Sequence, residues 1–193
     1  MFATAAGARC VRSPRRARPA RMKDGQRMPA TPDELFAFLD RLGIAHKTAT
    51  HPALFTVEQS RALRGQIPGG HTKNLFLKDK KGAFFLVSAL EDAAIELKTL
   101  HRRLGAARFS FGSAELLGET LGVEPGAVTP FGAINDKAGR VSIVLDAPMM
   151  THATLNYHPL VNTMTTSIAR DDLVRFLAAT GHPPRILPVS GAG

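Results

Sequence analysis

The sequence predicts a mixed α/β protein with one largely antiparallel β-sheet, curled towards a barrel and flanked by helices. Strand-like segments occur mostly in pairs joined by short polar turns, which favours antiparallel neighbours. Helical patterns stand between these pairs and do not alternate strictly with single strands. The 193 residues are 44% hydrophobic, which is enough for one sizeable core and does not require a second.

The helices are predicted from capping signals and apolar spacing. Thr31, Pro32 and Glu34 form a capping box, and Leu35 and Leu39 then lie on one helical face. A glycine follows each predicted helix, as is typical of helix C-termini. The predicted helices span residues 31–42, 56–64, 97–104, 113–121 and 170–180.

Three pairs of strands are predicted from apolar runs on either side of polar turns. The first has the charged turn Lys78–Gly82, and the second has the turn Asn135–Gly139. The third surrounds the turn at Pro159. The predicted arms are residues 75–77 with 83–87, 131–134 with 141–145, and 155–160 with 163–168. Short strands are also expected at residues 44–50, 109–111 and 185–189.

Most of the net charge of +9 lies in the first 29 residues, which contain eight basic residues and one acidic residue. We expect residues 1–29 to form a disordered Arg-rich extension and residues 30–190 to form the folded domain. The extension is also compatible with an organellar transit peptide, an over-long start assignment or a nucleic-acid-binding arm. The remaining residues carry only +2, so no broad nucleic-acid surface is expected on the domain.

Several classes of function are excluded by what the sequence lacks. No GxSxG, Walker A, GxGxxG or HExxH motif is present, and the seven histidines have no metal-ligand spacing. The single cysteine, Cys10, lies in the extension, which argues against thiolate zinc sites and a core cysteine nucleophile. No apolar run reaches the length of a membrane span, so we expect a cytoplasmic protein. Because the motifs and ligand spacings named above are missing, we expect neither a metal nor a cofactor.

Lys73 is the most informative single residue. It follows the flexible pair Gly69-Gly70 and shares a strand face with Leu75 and Leu77, so its amine lies at the mouth of an apolar strand. A lysine in this position often extends to water along a strand edge. The alternative is that Lys73 anchors a phosphate or a ribose hydroxyl.

Other polar residues gather at the ends of predicted strands and describe a cleft without an obvious nucleophile. Turn geometry and β-propensity explain each of them singly. They are His71, Thr72, Asn74, Thr129, Asn156, His158 and Asn162.

Three segments resemble the signature motifs of the YbaK family, the prolyl-tRNA editing domain. They are GGHTKNLFL at 69–77, GAVTPFG at 126–132 and NYHPLVNTMTT at 156–166. The similarity extends over residues 31–189, and segments 51–58 and 97–101 resemble the free-standing alanine-specific subgroup.

The resemblance implies hydrolysis of the ester that joins a wrong amino acid, alanine first, to the terminal adenosine of proline tRNA. It implies that Lys73 and Asn74 are catalytic, with Lys73 holding the terminal nucleotide, and that His158 shapes the pocket for the alanyl side chain. The substrate-binding residues expected on this basis are His71, Thr72, Gly126, Val128, Thr129, Pro130, Asn156, His158 and Asn162. It implies no metal and no covalent intermediate.

The expected partners are the acceptor end of tRNA(Pro) and, as an option, prolyl-tRNA synthetase, with the protein itself a monomer. Two alternatives remain open at this point. One is a deacylase specific for cysteinyl-tRNA(Pro). The other is a non-catalytic RNA-binding module that uses the Arg-rich extension with Lys78, Lys80 and Lys81.

Overall fold

The computed structural model describes residues 28–53 and 67–191, which contain eight strands and four α-helices. The helices are α1 (Pro32–Arg41), α2 (Leu97–Leu104), α3 (Ala114–Leu121) and α4 (Arg170–Ala179). The strands are β1 (His46–Thr50), β2 (Gly70–Asp79), β3 (Phe84–Leu90), β4 (Phe109–Phe111), β5 (Val141–Asp146), β6 (Thr154–Tyr157), β7 (Met164–Ala169) and β8 (Arg185–Leu187). The helix predicted at residues 56–64 lies outside the described residues. No helix in the described ranges is long and apolar enough to cross a membrane.

The strands form one mixed sheet in the order β1-β7-β6-β2-β3-β5-β8, with β4 paired to the far end of β2. Four neighbouring pairs are antiparallel, and β2–β6, β3–β5 and β5–β8 are parallel. The predicted class, a mixed α/β protein whose mixed sheet is flanked by helices, is confirmed. The predicted pairs at residues 75–87 and 155–168 are confirmed as the antiparallel neighbours β2–β3 and β6–β7.

The hairpin predicted at residues 131–145 is wrong. Pro130–Ile134 forms a 3₁₀ helix that begins at the cap residue Thr129, and β5 pairs in parallel with β3 instead. All five residues of the short helix are buried, and the Phe131 ring packs edge-to-face on Tyr157 and Phe176. A short apolar run has no periodicity that separates a strand from a buried helical turn, which explains the error.

Strand β2 separates two hydrophobic clusters because its side chains alternate between the two faces of the sheet. Phe76 belongs to the larger cluster, which is covered by α1, α3 and α4. Leu77, with Leu75 packed beside it, belongs to a smaller cluster that α2 covers through Leu100 and Leu104. Alternation therefore places Lys73 on the α2 side of the sheet and Asn74 on the other side, as the sequence predicted.

A buried carboxylate holds the turn between β2 and β3. Asp79 Oδ1 accepts hydrogen bonds from the backbone N–H groups of Lys81 (2.8 Å) and Ala83 (2.9 Å), and Oδ2 accepts one from Ala107 (3.2 Å). Burial alone would raise the pKa of Asp79, but these backbone bonds outweigh it and hold the pKa below its ordinary value. The turn and the segment before β4 are thereby fixed to one another.

Candidate functional site

A short parallel pairing between β2 and β6 joins two of the three sequence motifs. Gly70 lies opposite Leu155, and His71 lies opposite Asn156. The motif at residues 69–77 thus runs beside the motif at residues 156–166 and in the same direction. Two residues beyond the pair of His71 and Asn156 come Lys73 and His158, which alternation directs to the same side of the sheet.

Asn156 secures this junction with both ends of its side chain and with its backbone. Its Nδ2 donates to the carbonyl of Pro68 (3.2 Å), and its Oδ1 accepts from the hydroxyl of Ser167 (2.6 Å). The hydroxyl of Thr72 donates to the Asn156 carbonyl (2.8 Å). Asn156 is 3% exposed. These contacts make Asn156 and Thr72 residues that position the two motifs.

Gly69 is needed for the close approach of the two strands. Its φ of +114° is a conformation that favours glycine, and a Cβ there would lie 3.0 Å from the carbonyl oxygen of Thr154 and 3.1 Å from Asn156 Nδ2. Both contacts involve groups that the pairing fixes in place. The close approach of the two strands thus explains why position 69 is a glycine, which the sequence only suggested.

Lys73 is half-buried, and its amine donates to the carbonyl of Ala93 in the loop before α2. An ammonium group has three N–H donors, so this bond leaves donors for a ligand. The bond to the Ala93 carbonyl therefore holds the Lys73 amine in a fixed place on the α2 side of the sheet. The neighbouring His71 is oriented by a bond between Nε2 and the carbonyl of Ile67 (2.9 Å).

Asn74 contacts the second motif from the opposite side of β2. Its Nδ2 donates to the Val128 carbonyl at 3.0 Å, which joins the strand to the loop at residues 126–130. Its Oδ1 is buried and has no hydrogen-bond partner in the described part of the chain. A buried acceptor without a donor is costly, so this oxygen is a candidate to accept a hydrogen bond from water or a ligand.

The loop at residues 126–130 has an exposed start and a buried end. Gly126 has a φ of +92°, and a Cβ on it would contact Asn162 Nδ2 at 3.6 Å. Thr129 is fully buried, and its hydroxyl accepts a hydrogen bond from the N–H of Phe131 (3.3 Å), while Pro130 is also buried. The side chains of Thr129 and Pro130 thus support the loop, whereas the Val128 backbone contacts Asn74.

His158 is held as a neutral imidazole by its surroundings. Its Nδ1 donates to the Met164 carbonyl (2.8 Å), which leaves Nε2 as an acceptor. Burial lowers the pKa of His158, the nearby His51 lowers it further, and the Met164 bond opposes both only in part. Within the described residues no partner is found for Nε2.

His51 belongs to this group, although its role was not predicted from the sequence. Its ring centroid lies 6.2 Å from that of His158, its Nδ1 donates to the Pro52 carbonyl (2.8 Å) and its Nε2 lies 2.9 Å from the Thr165 hydroxyl. The available signal was its place at the start of a segment typical of the alanine-specific subgroup. Among residues 28–53 and 67–191, no three His, Cys, Asp or Glu side chains form a group suited to a metal ion.

Comparison with known proteins identifies the family. The sequence matches the model of the aminoacyl-tRNA editing domain over residues 51–176. The chain belongs to this family of aminoacyl-tRNA editing domains. The match confirms the family predicted from the three motifs, and with it the expectation of an editing enzyme.

Two curated relatives of this editing domain carry related names. The chain is 42% identical over 156 residues to "Prolyl-tRNA synthetase associated domain-containing protein 1" of Danio rerio, covering 80% of this chain and 85% of the relative. It is 34% identical over 149 residues to "Prolyl-tRNA editing protein ProX" of Acetoanaerobium sticklandii, covering 77% and 91%.

A solved structure shares the fold. The crystal structure described as "a putative trans-editing enzyme for prolyl tRNA synthetase" superimposes with a TM-score of 0.65 at 18% identity, covering 83% of this chain and 97% of that chain. At this level of identity the similarity concerns the fold alone.

Thr129→Val tests the structural role of the buried hydroxyl. The substitution keeps the shape but removes the acceptor for the Phe131 N–H, so we expect the free energy of unfolding to fall by about 1 kcal/mol. Urea denaturation measures it, with the exposed Thr99→Val as a matched control expected to change stability by less than about 0.5 kcal/mol. Equal stability of the Thr129 variant and the wild type would contradict this role.

The lowered pKa of His158 predicts a dependence of stability on pH. Below the ordinary histidine pKa of about 6.5, the unfolded chain takes up a proton at His158 more readily than the folded chain does. The free energy of unfolding therefore falls as the pH drops below about 6.5. We expect His158→Gln to show a weaker fall than the wild type in urea denaturation between pH 5 and 8. Parallel curves for the two proteins would contradict the assignment.

Proposed function

We propose that this editing domain hydrolyses the ester of mischarged tRNA(Pro) in trans, with alanyl-tRNA(Pro) as its principal substrate. The observation that carries the proposal is the β2–β6 junction, which directs Lys73 and His158 to the same side of the sheet from motifs far apart in sequence. The relatives named above for prolyl-tRNA editing and prolyl-tRNA synthetase association support the choice of tRNA.

Lys73 is proposed to bind the phosphate or ribose of the terminal nucleotide. Its half-buried amine is held by the Ala93 carbonyl at the edge of the α2 side, and it keeps donors for an anionic ligand. A cation fixed before the substrate arrives also stabilises negative charge that develops on the ester oxygen during attack. Lys73 is thus both the anchor and an electrostatic group of the proposed site.

His158 is proposed to orient the aminoacyl group or the attacking water. Its neutral Nε2 accepts a hydrogen bond from the α-amino group or from water, while the bond from Nδ1 to the Met164 carbonyl fixes the ring. A fixed acceptor holds water in a reactive geometry at little further entropic cost. Asn74 is proposed to assist from the opposite side of β2, where its Nδ2 holds the loop at residues 126–130 through the Val128 carbonyl.

The proposed reaction needs no nucleophilic side chain. An aminoacyl ester is already activated, so water adds to its carbonyl carbon with help from the adenosine 2′-hydroxyl. The tetrahedral intermediate then expels the ribose 3′-oxygen, which takes up a proton. The products are the free amino acid and the uncharged tRNA, in agreement with the absence of serine or cysteine hydrolase motifs from the sequence.

Selection of alanine over proline is proposed to depend on the size of the pocket. Attraction alone does not penalise a larger side chain, so tight walls must exclude the proline ring. Cysteine differs from alanine by only one sulfur atom, which makes cysteinyl-tRNA(Pro) the main alternative substrate.

A basic groove beside α2 supports contact with the tRNA. The groove has a volume of about 500 Å³ and is lined by Lys98, His101, Arg102 and Arg108, and none of its described lining residues is acidic. Arg103, on the same helix, is not part of the groove and donates to the Pro188 carbonyl (3.3 Å). A cationic groove of this kind attracts a phosphate backbone.

Lys73→Ala tests the central role in catalysis. We expect loss of alanine release from alanyl-tRNA(Pro) by at least about a hundredfold, because the anchor and the electrostatic group are removed together. Release is followed with labelled alanine, and the free energy of unfolding is measured in parallel. Lys137→Ala, at an exposed turn residue, is the matched control and should keep wild-type activity. Normal turnover by the Lys73 variant would refute the proposal.

Aminoacyl specificity is tested by comparing three esters on the same tRNA. We expect kcat/KM to be highest for alanyl-tRNA(Pro), lower for cysteinyl-tRNA(Pro) and lowest for prolyl-tRNA(Pro), because the pocket selects by exclusion. Fastest hydrolysis of the cysteinyl ester would assign the protein to the alternative substrate. Binding of all three without hydrolysis would favour an RNA-binding module.

A further inference from the structure

A cavity of about 490 Å³ lies beside the proposed editing site. None of the functions proposed above for single residues involves this cavity. Its floor is built by two cross-strand pairs of β1 and β7, Lys47 with Ser167 and Ala49 with Thr165. The loop before β2 and the start of β6 complete the wall, on the same face of the sheet as Lys73. The volume is within the range of small-ligand sites.

The chemistry of the cavity wall suits a nucleotide. Ala49, Ile67 and Pro68 offer apolar surface for a base, and the hydroxyl of Thr154 makes no hydrogen bond within the described residues. Lys47 is exposed and makes no ion pair with any described residue. None of the described residues that line the cavity is acidic, so the charge of this part of its wall is complementary to a phosphate group.

Two hydrogen bonds connect the cavity wall to the proposed editing site. The hydroxyl of Ser167 donates to Asn156, the residue that secures the β2–β6 junction (2.6 Å). The hydroxyl of Thr165 contacts His51 (2.9 Å), whose ring neighbours that of His158. One layer of side chains therefore separates the cavity from the residues assigned to the aminoacyl end.

We propose that this cavity is a second nucleotide subsite, which binds the nucleotide preceding the terminal adenosine of the single-stranded acceptor end. The base of this nucleotide enters the cavity and hydrogen-bonds to the Thr154 hydroxyl. The nucleotide's own 5′-phosphate contacts Lys47. The inference rests on the proposed function, because it assigns the occupant from the substrate of the adjacent site. A free mononucleotide has the same chemistry, and the experiment distinguishes the two sources.

The test compares two minimal substrates that differ by one nucleotide. These are the alanyl esters of adenosine 5′-monophosphate and of 5′-phosphorylated cytidylyl-adenosine, so the phosphate of the terminal nucleotide is present in both. We expect the wild type to hydrolyse the dinucleotide ester with a kcat/KM about tenfold higher, because a charge-assisted phosphate contact is gained. Lys47→Ala should abolish this advantage and leave hydrolysis of the mononucleotide ester unchanged. Lys137→Ala should keep the advantage.

Two results would overturn the subsite. One is equal kcat/KM of the wild type for both esters, and the other is an undiminished preference in the Lys47 variant. If the wild type hydrolyses neither ester, hydrolysis of alanyl-tRNA(Pro) decides the proposed function, and NMR titration with 5′-phosphorylated cytidylyl-adenosine decides the subsite alone. Amide shifts at Thr154, Thr165 and Ser167 that vanish in Lys47→Ala support it, and their absence overturns it. Equal affinity for cytidine monophosphate would overturn the assignment to the acceptor end.

Discussion

The account depends on the parallel contact between β2 and β6, which extends over only two residue pairs. This contact brings Lys73 and His158 to one face of the sheet although 85 residues separate them in the sequence. Asn156 maintains the contact through Pro68, Thr72 and Ser167. Since Asn156 is buried and both polar atoms of its side chain are hydrogen-bonded, the junction has little freedom, and a site built on it is positioned before any ligand arrives.

Local signals in the sequence predicted local structure well. The Thr31 capping box is present in both directions, since Thr31 Oγ1 accepts from the Glu34 N–H and Glu34 Oε2 accepts from the Thr31 N–H. The arms of β2–β3 and β6–β7 were also predicted, because hairpins are marked by their turns. The parallel partners of β5 and β6 were not, because pairing between distant segments leaves no mark on either strand. The prediction of a strand at Phe131–Ile134 was wrong for a related reason, since burial from all sides removes the periodicity that would identify the element.

For the candidate site, the sequence offered residues whose functional roles stay predictions, and it did not give the geometry of their contacts. Strand alternation is enough to place Lys73 and Asn74 on opposite faces of β2. The sequence could not show that Asn74 donates to Val128, or that Ala93 holds the Lys73 amine. It also could not show that the Thr129 hydroxyl caps the short helix by accepting a hydrogen bond from the Phe131 N–H, or that His51 contacts Thr165 beside His158. Each of these contacts joins segments whose proximity arises only when the sheet is complete.

The central claim is that one nucleotide terminus and its aminoacyl group bind between Lys73 and His158. It is tested most directly by the structure of the protein with a non-hydrolysable alanyl-amide analogue of adenosine 5′-monophosphate. The account predicts the Lys73 amine within hydrogen-bond distance of the phosphate or ribose, and His158 Nε2 within that distance of the alanyl group or of a water beside its carbonyl. An analogue bound in order elsewhere, with both side chains left free, would contradict it.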